Sequence, residues 1–327
     1  MPTIPLKLKA GDMVRIVAPS HSLSMIAHDL RDIATKRLVD LGLTVTFSEY
    51  AEEQDEHISS SIESRVVDLH AAFADPLVKA IFTVIGGFNC NQLLPYLDWD
   101  LIRKNPKIFI GYSDTTALQT AMLTKADIVT YSGPAYSTFG QKLYFDYTLE
   151  YVKKCLFEDV PFIINPSPSW TDDAWYVNQE DRHPIPNEGY WILSQGEAEG
   201  TIIGVNLCTL NLLQGTEYFP NVHDAILFLE DDVESDYKHF DRDFESLLQA
   251  MPIENIRGIV FGRFQNKSAM TRQLMEQLIH IRPKLKQIPI IANADFGHTS
   301  PIITFPIGGK ARITAREGKA EIVIVEH

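Results

Sequence analysis

The apolar run Ile108-Phe109-Ile110 stops at Gly111 and reaches, two residues later, a serine at the head of an apolar-faced stretch, Ser113-Asp114-Thr115-Thr116-Ala117-Leu118. No other passage constrains the chain as much. Glycine at 111 lets the backbone bend where a side chain would clash. The apolar spacing from Asp114 to Met122 predicts a helix. A serine held between a strand end and a helix start is exposed beside unpaired helix N–H groups. That is the arrangement of a nucleophile elbow, G-x-S-x-G, with Thr115 here in place of the last glycine. Ser113 and Asp114 would equally serve as a helix cap, so the segment alone admits a reactive serine and a structural one.

Two other strand-like runs end in groups with acid–base chemistry. Ala225-Ile226-Leu227-Phe228-Leu229 leads to Glu230, and Ile291-Ala292-Asn293-Ala294 empties into the turn Phe296-Gly297-His298-Thr299. Loops held by rigid strands are where catalytic groups concentrate. Nucleophile, acid and base thus follow one another as Ser113, Glu230 and His298, the chain order of α/β-hydrolase triads, although unrelated triads occur in several orders. His298 is one of ten histidines, and a strand ending in Glu230-Asp231-Asp232 would also make a solvated edge.

The fold class predicted is α/β. Strands at 14–18 and 44–47, a strand leading to Gly86 and the strand before Gly111 alternate with helices at 25–41 and 61–73. Alternation of this kind gives a mostly parallel sheet covered on both faces, with ligands at the strands' carboxyl ends. Residues 161–189 change character, with five prolines and few long apolar runs, and read as a linker or surface excursion. Three parts follow: an N-terminal domain with the elbow over 1–160, the excursion over 161–189, and a strand-rich C-terminal α/β domain over 190–327. Ser113 then lies in one domain and Glu230 and His298 in the other, which puts an active site in the interdomain cleft.

Composition excludes several classes. A net charge of −14 disfavours a nucleic-acid polymer as partner. No apolar run is long enough to span a bilayer, and the first residues lack a signal-peptide core. Three scattered cysteines (Cys90, Cys155, Cys208) suggest reduced thiols in a cytoplasm. No metal-binding or dinucleotide signature is present, so neither metal nor cofactor is expected.

Several co-linear motifs resemble the LD-carboxypeptidase family of serine peptidases: Lys9-Ala10-Gly11-Asp12, Val17-Ala18-Pro19-Ser20, Ile85-Gly86-Gly87-Phe88-Asn89, Gly111-Tyr112-Ser113-Asp114, Gly204-Val205-Asn206-Leu207, Leu229-Glu230, and Phe296-Gly297-His298-Thr299 with Pro306-Ile307-Gly308. The family includes murein-recycling carboxypeptidases and microcin C self-immunity proteins. The resemblance spans nearly the whole chain. It implies a Ser113–His298–Glu230 triad, an oxyanion hole from the Asp114 N–H and the Gly86-Gly87 turn, and a homodimer. The types suit the chemistry: a neutral serine needs a base, histidine titrates near neutrality, and a carboxylate on its far nitrogen fixes the tautomer.

Substrate class is less constrained. Trp170 and Trp175 lie in the polar excursion, with Trp191 downstream. Such rings either stack on a nucleobase or pin the segment to the surface. The microcin-immunity branch resembles this chain in a tryptophan-rich loop facing the nucleotide. Murein-type members tend to carry an arginine before the Gly-Gly turn, where this chain has Val84-Ile85. The expected substrate is therefore a peptidyl- or aminoacyl-nucleotide cleaved at an amide next to an aspartyl-type residue. The alternatives are release of D-alanine from a murein tetrapeptide and a non-catalytic small-molecule binding module.

Overall fold

Short apolar strands alternating with capped helices build the first of two sheets in the computed structural model, which describes residues 2–327. Its six strands lie in the order Phe305–Ile307, Thr130–Ser132, Ile108–Gly111, Val78–Thr83, Met13–Val17 and Thr44–Phe47. The last five pair in parallel; Phe305–Ile307 runs antiparallel on Thr130–Ser132. Ile108, Phe109 and Ile110 are fully buried, as a central parallel strand covered on both faces must be. Helix Ile62–Ala74 starts where the Ser61 hydroxyl accepts the Ser64 N–H, and its Phe73 ring stacks on Phe109 at 6.4 Å. The helix expected from Met25 begins later, at His28, because Leu23–Met25 is a separate 3-10 turn closed by Ser22 and Ile26 is extended.

The second sheet has eight strands: Phe162–Ile164, Lys319–Glu326, Lys310–Arg316, Gly196–Asn206, Ala225–Glu230, Ile256–Gly262, Ile290–Ala294 and Trp191–Ser194. Gly196–Asn206 through Ile290–Ala294 are parallel, and antiparallel strands flank them. Lys310–Arg316 has exposed Arg312 between buried Ala311 and Ile313 and ends in exposed Arg316, which hides it from a search for apolar runs.

Sheet membership cuts across sequence order. Phe162–Ile164, from the expected excursion, pairs with Lys319–Glu326, while Phe305–Ile307 completes the first sheet. The chain passes between the two halves more than once. Gly111 of the first sheet and Asn206 and Glu230 of the second end their strands at one cleft. Among the described residues no helix is long and apolar enough to cross a membrane.

Candidate active site

The strand Ile108–Gly111 gives way to extended Tyr112, a 3-10 turn over Ser113–Thr115 and the helix Thr116–Ala121. The expected single helix to Met122 is thus a tight turn, a short α-helix and a π turn over Met122–Ala126. The sharp bend falls on Ser113 itself, at φ 64, a left-handed conformation that costs a residue with a Cβ roughly 1–2 kcal/mol. Gly111 serves a different need from the one expected: a Cβ there would press on Thr83 Oγ1 and sit 3.0 Å from Thr115. Gln119, buried one helical turn on, donates to the carbonyls of Gly111 at 3.0 Å and Tyr131 at 2.6 Å, fixing the strand end. Neither Ser113 nor Asp114 caps the helix.

Three side chains from three strand ends meet. His298 Nε2 lies 3.0 Å from Ser113 Oγ, and its Nδ1 lies 2.8 Å from Glu230 Oε2. Glu230 is buried at the end of Ala225–Glu230, and its Oε1 accepts the Asn206 Nδ2–H at 3.3 Å. A proton on Nδ1 facing that carboxylate leaves the Nε2 lone pair for the Ser113 hydroxyl. Burial pulls the His298 pKa down, but the Glu230 charge and hydrogen bond, with Asp232 and Asp231 nearby, outweigh it and push it up to about 9. Asp231 is pushed up to about 7, by burial first and then by the Glu230 charge. The Tyr112 ring rests 5.5 Å from the His298 ring.

The Gly86-Gly87 turn arrives from Val78–Thr83 and packs on the elbow. A Cβ at Gly86 would lie 3.0 Å from Ser113 Cβ, 3.2 Å from its Oγ and 3.7 Å from the Asp114 nitrogen. Gly87, at φ +152, would drive a Cβ into Ser20. Glycine suits both positions because a Cβ would meet the Ser113 side chain at one and the Ser20 side chain at the other.

The two tryptophans of the excursion part company. Trp175 lines a cleft of about 690 Å³ together with Tyr112, Thr138, Asp232, Glu234 and His298. Trp170 lies outside that cleft, its ring covered at 5.1 Å by the guanidinium of Arg263, which pairs with buried Asp295. The loop bearing Trp175 is clasped to the turn bearing His298 by paired backbone bonds, Thr171 N–H to Ser300 O at 2.7 Å and Ser300 N–H to Thr171 O at 2.9 Å. A larger groove of about 1060 Å³ opens at the opposite ends of the second sheet's parallel strands, among Glu197, Asp224 and Arg257. It contains none of the meeting side chains, and the carboxyl-end cleft is the one where an α/β sheet binds ligands.

Sequence reasoning gave no role to Asn206, Ser20 or Gln119. Asn206 and Ser20 lie within motifs quoted for the resemblance, but their partners are distant in sequence. Among the described residues no group of three or more His, Cys, Asp or Glu side chains is arranged to hold a metal ion.

The sequence matches the model of the LD-carboxypeptidase N-terminal domain over residues 14–133 and that of the C-terminal domain over 199–313. The crystal structure of an MccF-like protein from Bacillus anthracis superimposes with a TM-score of 0.98 at 52% identity, covering 99% of this chain and 100% of that one. The Bacillus subtilis protein YocD, which carries a carboxypeptidase name, is 52% identical over 98% of this chain and 99% of its own. The microcin C7 self-immunity protein MccF of Escherichia coli is 30% identical over 95% of this chain and 93% of its own. MccF bound to aspartyl sulfamoyl adenosine has a TM-score of 0.90 at 28% identity, covering 100% and 99% of the two chains. With both domain models matched and relatives this similar along its length, the chain is an enzyme of the LD-carboxypeptidase family.

Proposed function

We propose that this enzyme is a serine hydrolase that cleaves the amide joining an aminoacyl or peptidyl group to a nucleotide, by way of an acyl-enzyme on Ser113. The observation that carries the reading is the continuous relay from Ser113 Oγ through both ring nitrogens of His298 to Glu230. Ser113 attacks the carbonyl as His298 takes its proton; the same proton then passes to the leaving nitrogen, and a water repeats the steps to free the acid. Glu230 holds the tautomer and balances the imidazolium. The Asp114 N–H and the Gly86-Gly87 turn receive the oxyanion. Such a relay argues against a passive binding module.

Trp175 and the aspartyl sulfamoyl adenosine bound in the MccF complex support the nucleotide-bearing substrate. In this reading the indole of Trp175 meets the base, while Asp232 and Glu234 offer carboxylates to the α-ammonium of the aminoacyl group. The competing reading, release of D-alanine from a murein tetrapeptide, is supported by a Pseudomonas aeruginosa relative named as a murein tetrapeptide carboxypeptidase, 24% identical over 91% of this chain. A homodimer and a cytoplasmic location belong to the same proposal, with light scattering and cell fractionation as their tests. The deciding experiment is turnover of aspartyl sulfamoyl adenosine beside a murein tetrapeptide under one set of conditions. Release of aspartate at the higher kcat/KM is expected; efficient release of D-alanine with no cleavage of the nucleotide compound would overturn the choice.

A further inference from the structure

Behind the relay lies a second buried polar network for which the steps above provide no role. Ser20 follows the strand Met13–Val17 and is fully buried. Its hydroxyl has one proton and two acceptors in reach, Asp114 Oδ2 at 2.7 Å and Asn89 Oδ1 at 2.9 Å. The carboxylate is nearer and charged, so it takes the proton. Asn89 Oδ1 is served instead by the Arg65 guanidinium at 2.9 Å. The Ser20 oxygen in turn accepts the Phe88 N–H at 3.1 Å. Asp114 Oδ2 also accepts the Cys90 N–H at 2.9 Å.

The carboxylate of the residue after the serine is therefore tied twice to the turn at 86–90, directly through Cys90 and through Ser20 to Phe88. Arg65, itself buried, closes the ring by donating to the carbonyls of Pro19 at 3.1 Å and Asn89 at 3.2 Å. Asn89 Nδ2 donates onward to Ser59 Oγ at 2.9 Å. The path joins the two pieces of backbone that frame the oxyanion site, and a Cβ at Gly87 would collide with the Ser20 hydroxyl.

We infer that Ser20 is a positioning residue for the oxyanion site, its hydroxyl setting the spacing between the Asp114 N–H and the Gly86-Gly87 turn so that both converge on one oxygen. This rests on the oxyanion assignment made above. Donors aimed in advance are effective because they need no reorganisation as charge develops, and a displacement of about 1 Å costs on the order of a hundredfold in rate. Losing the Ser20 hydroxyl leaves the Cys90 N–H as the one direct tie from the Asp114 carboxylate to the turn, loosening their spacing without touching the relay.

The test compares Ser20→Ala and Ser20→Cys with the native enzyme, using aspartyl sulfamoyl adenosine or the murein tetrapeptide, whichever is turned over. Ser20→Ala should lower kcat about ten- to a hundredfold while KM stays within roughly threefold. Affinity for a substrate-like boronic acid, whose serine adduct places an oxygen in the oxyanion site, should fall by the same factor as kcat. Ser20→Cys, with a weaker donor of similar shape, should fall between, and it carries the same comparison alone if Ser20→Ala does not fold. A folded variant with kcat within about twofold of native, or a kcat loss with boronate affinity unchanged, overturns the inference. Turnover surviving in Ser113→Ala, or no boronate adduct on native Ser113, overturns the nucleophile assignment and this inference with it. A normal adduct with an unaffected Ser20→Ala removes the inference alone.

Discussion

Replacing Glu230 by glutamine removes one charge at nearly constant volume from the end of a fully buried strand. The His298 side chain it faces is only 17% exposed. Burial alone would lower the pKa of that ring; the Glu230 charge and hydrogen bond, with Asp232 and Asp231 behind them, carry it instead from 6.5 to about 9. A rise of that size is worth roughly 3 kcal/mol in favour of the imidazolium. In the proposed mechanism the neutral ring is the reactive form, so native kcat/KM should climb with pH through about 9. In Glu230→Gln burial prevails against two aspartates, and the acid limb should move down by about two pH units or more. The plateau rate should fall about 10⁴-fold, because an amide no longer enforces the proton on Nδ1. The assays are kcat/KM across the pH range and direct titration of the His298 ring by NMR. Stability supplies an independent sign. A folded pKa above the unfolded 6.5 stabilises the fold fully below 6.5 and loses that contribution as pH rises through about 9. Glu230→Gln should therefore destabilise the protein more in acid than at alkaline pH. An acid limb that stays in place, or a stability loss equal at both extremes, would refute the reasoning.

Two further predictions concern the elbow and the excursion. Ser113→Ala should abolish turnover of any substrate, and more than about a hundredth of native kcat in purified protein would sink the nucleophile assignment. Ser113→Gly should be equally inactive yet more stable than Ser113→Ala by about 1 kcal/mol in denaturant melts, since glycine takes φ 64 without a Cβ penalty. Trp175→Ala should lower kcat/KM for the nucleotide substrate about tenfold or more. Trp170→Ala should leave that ratio nearly unchanged and instead lower Tm, losing a cation–π contact of about 1 kcal/mol; the opposite pattern would reverse their roles.

What was legible in the sequence was local. The strand before Ser113 announces itself by continuous apolar residues ended by glycine, and the strand before Glu230 by five apolar residues ended by a carboxylate. Which residue of the elbow carries the left-handed bend was not legible: glycine at 111 was the natural choice, yet tertiary packing on Thr83 claims it and the strain falls on Ser113. Trp170 and Trp175 sit five residues apart in similar polar surroundings, and only Arg263, far along the chain, separates them. Ser20 and Asn206 were missed for the same reason. A buried hydroxyl or amide reveals its role through a partner, and Asp114 is 94 residues from Ser20. Strands with one polar face, such as Lys310–Arg316, escape because their signal is alternation rather than an apolar run.

A relay whose members come from two sheets needs something to hold those sheets together, and the chain itself does so. A few residues after His298 it enters the strand Phe305–Ile307, which pairs with Thr130–Ser132, the immediate neighbour of the strand that ends at Gly111. The turn carrying His298 is thus tethered to the sheet carrying Ser113 by continuous backbone. One further tie crosses the same seam, the Asn206 N–H donating to Thr116 Oγ1 at 3.3 Å, while within the second sheet the Asn206 side chain holds Glu230. The elbow helix, Glu230 and His298 are thereby fixed to one another without a domain closure to assemble them, which is the condition under which electrostatic preorganisation is effective. The cleft's outer wall lies outside these ties. The Trp175 segment is clasped to Ser300 at its root, while Tyr176 beyond it is 65% exposed. Movement of that wall would change access and affinity while the 3.0 Å separation of Ser113 and His298 is preserved.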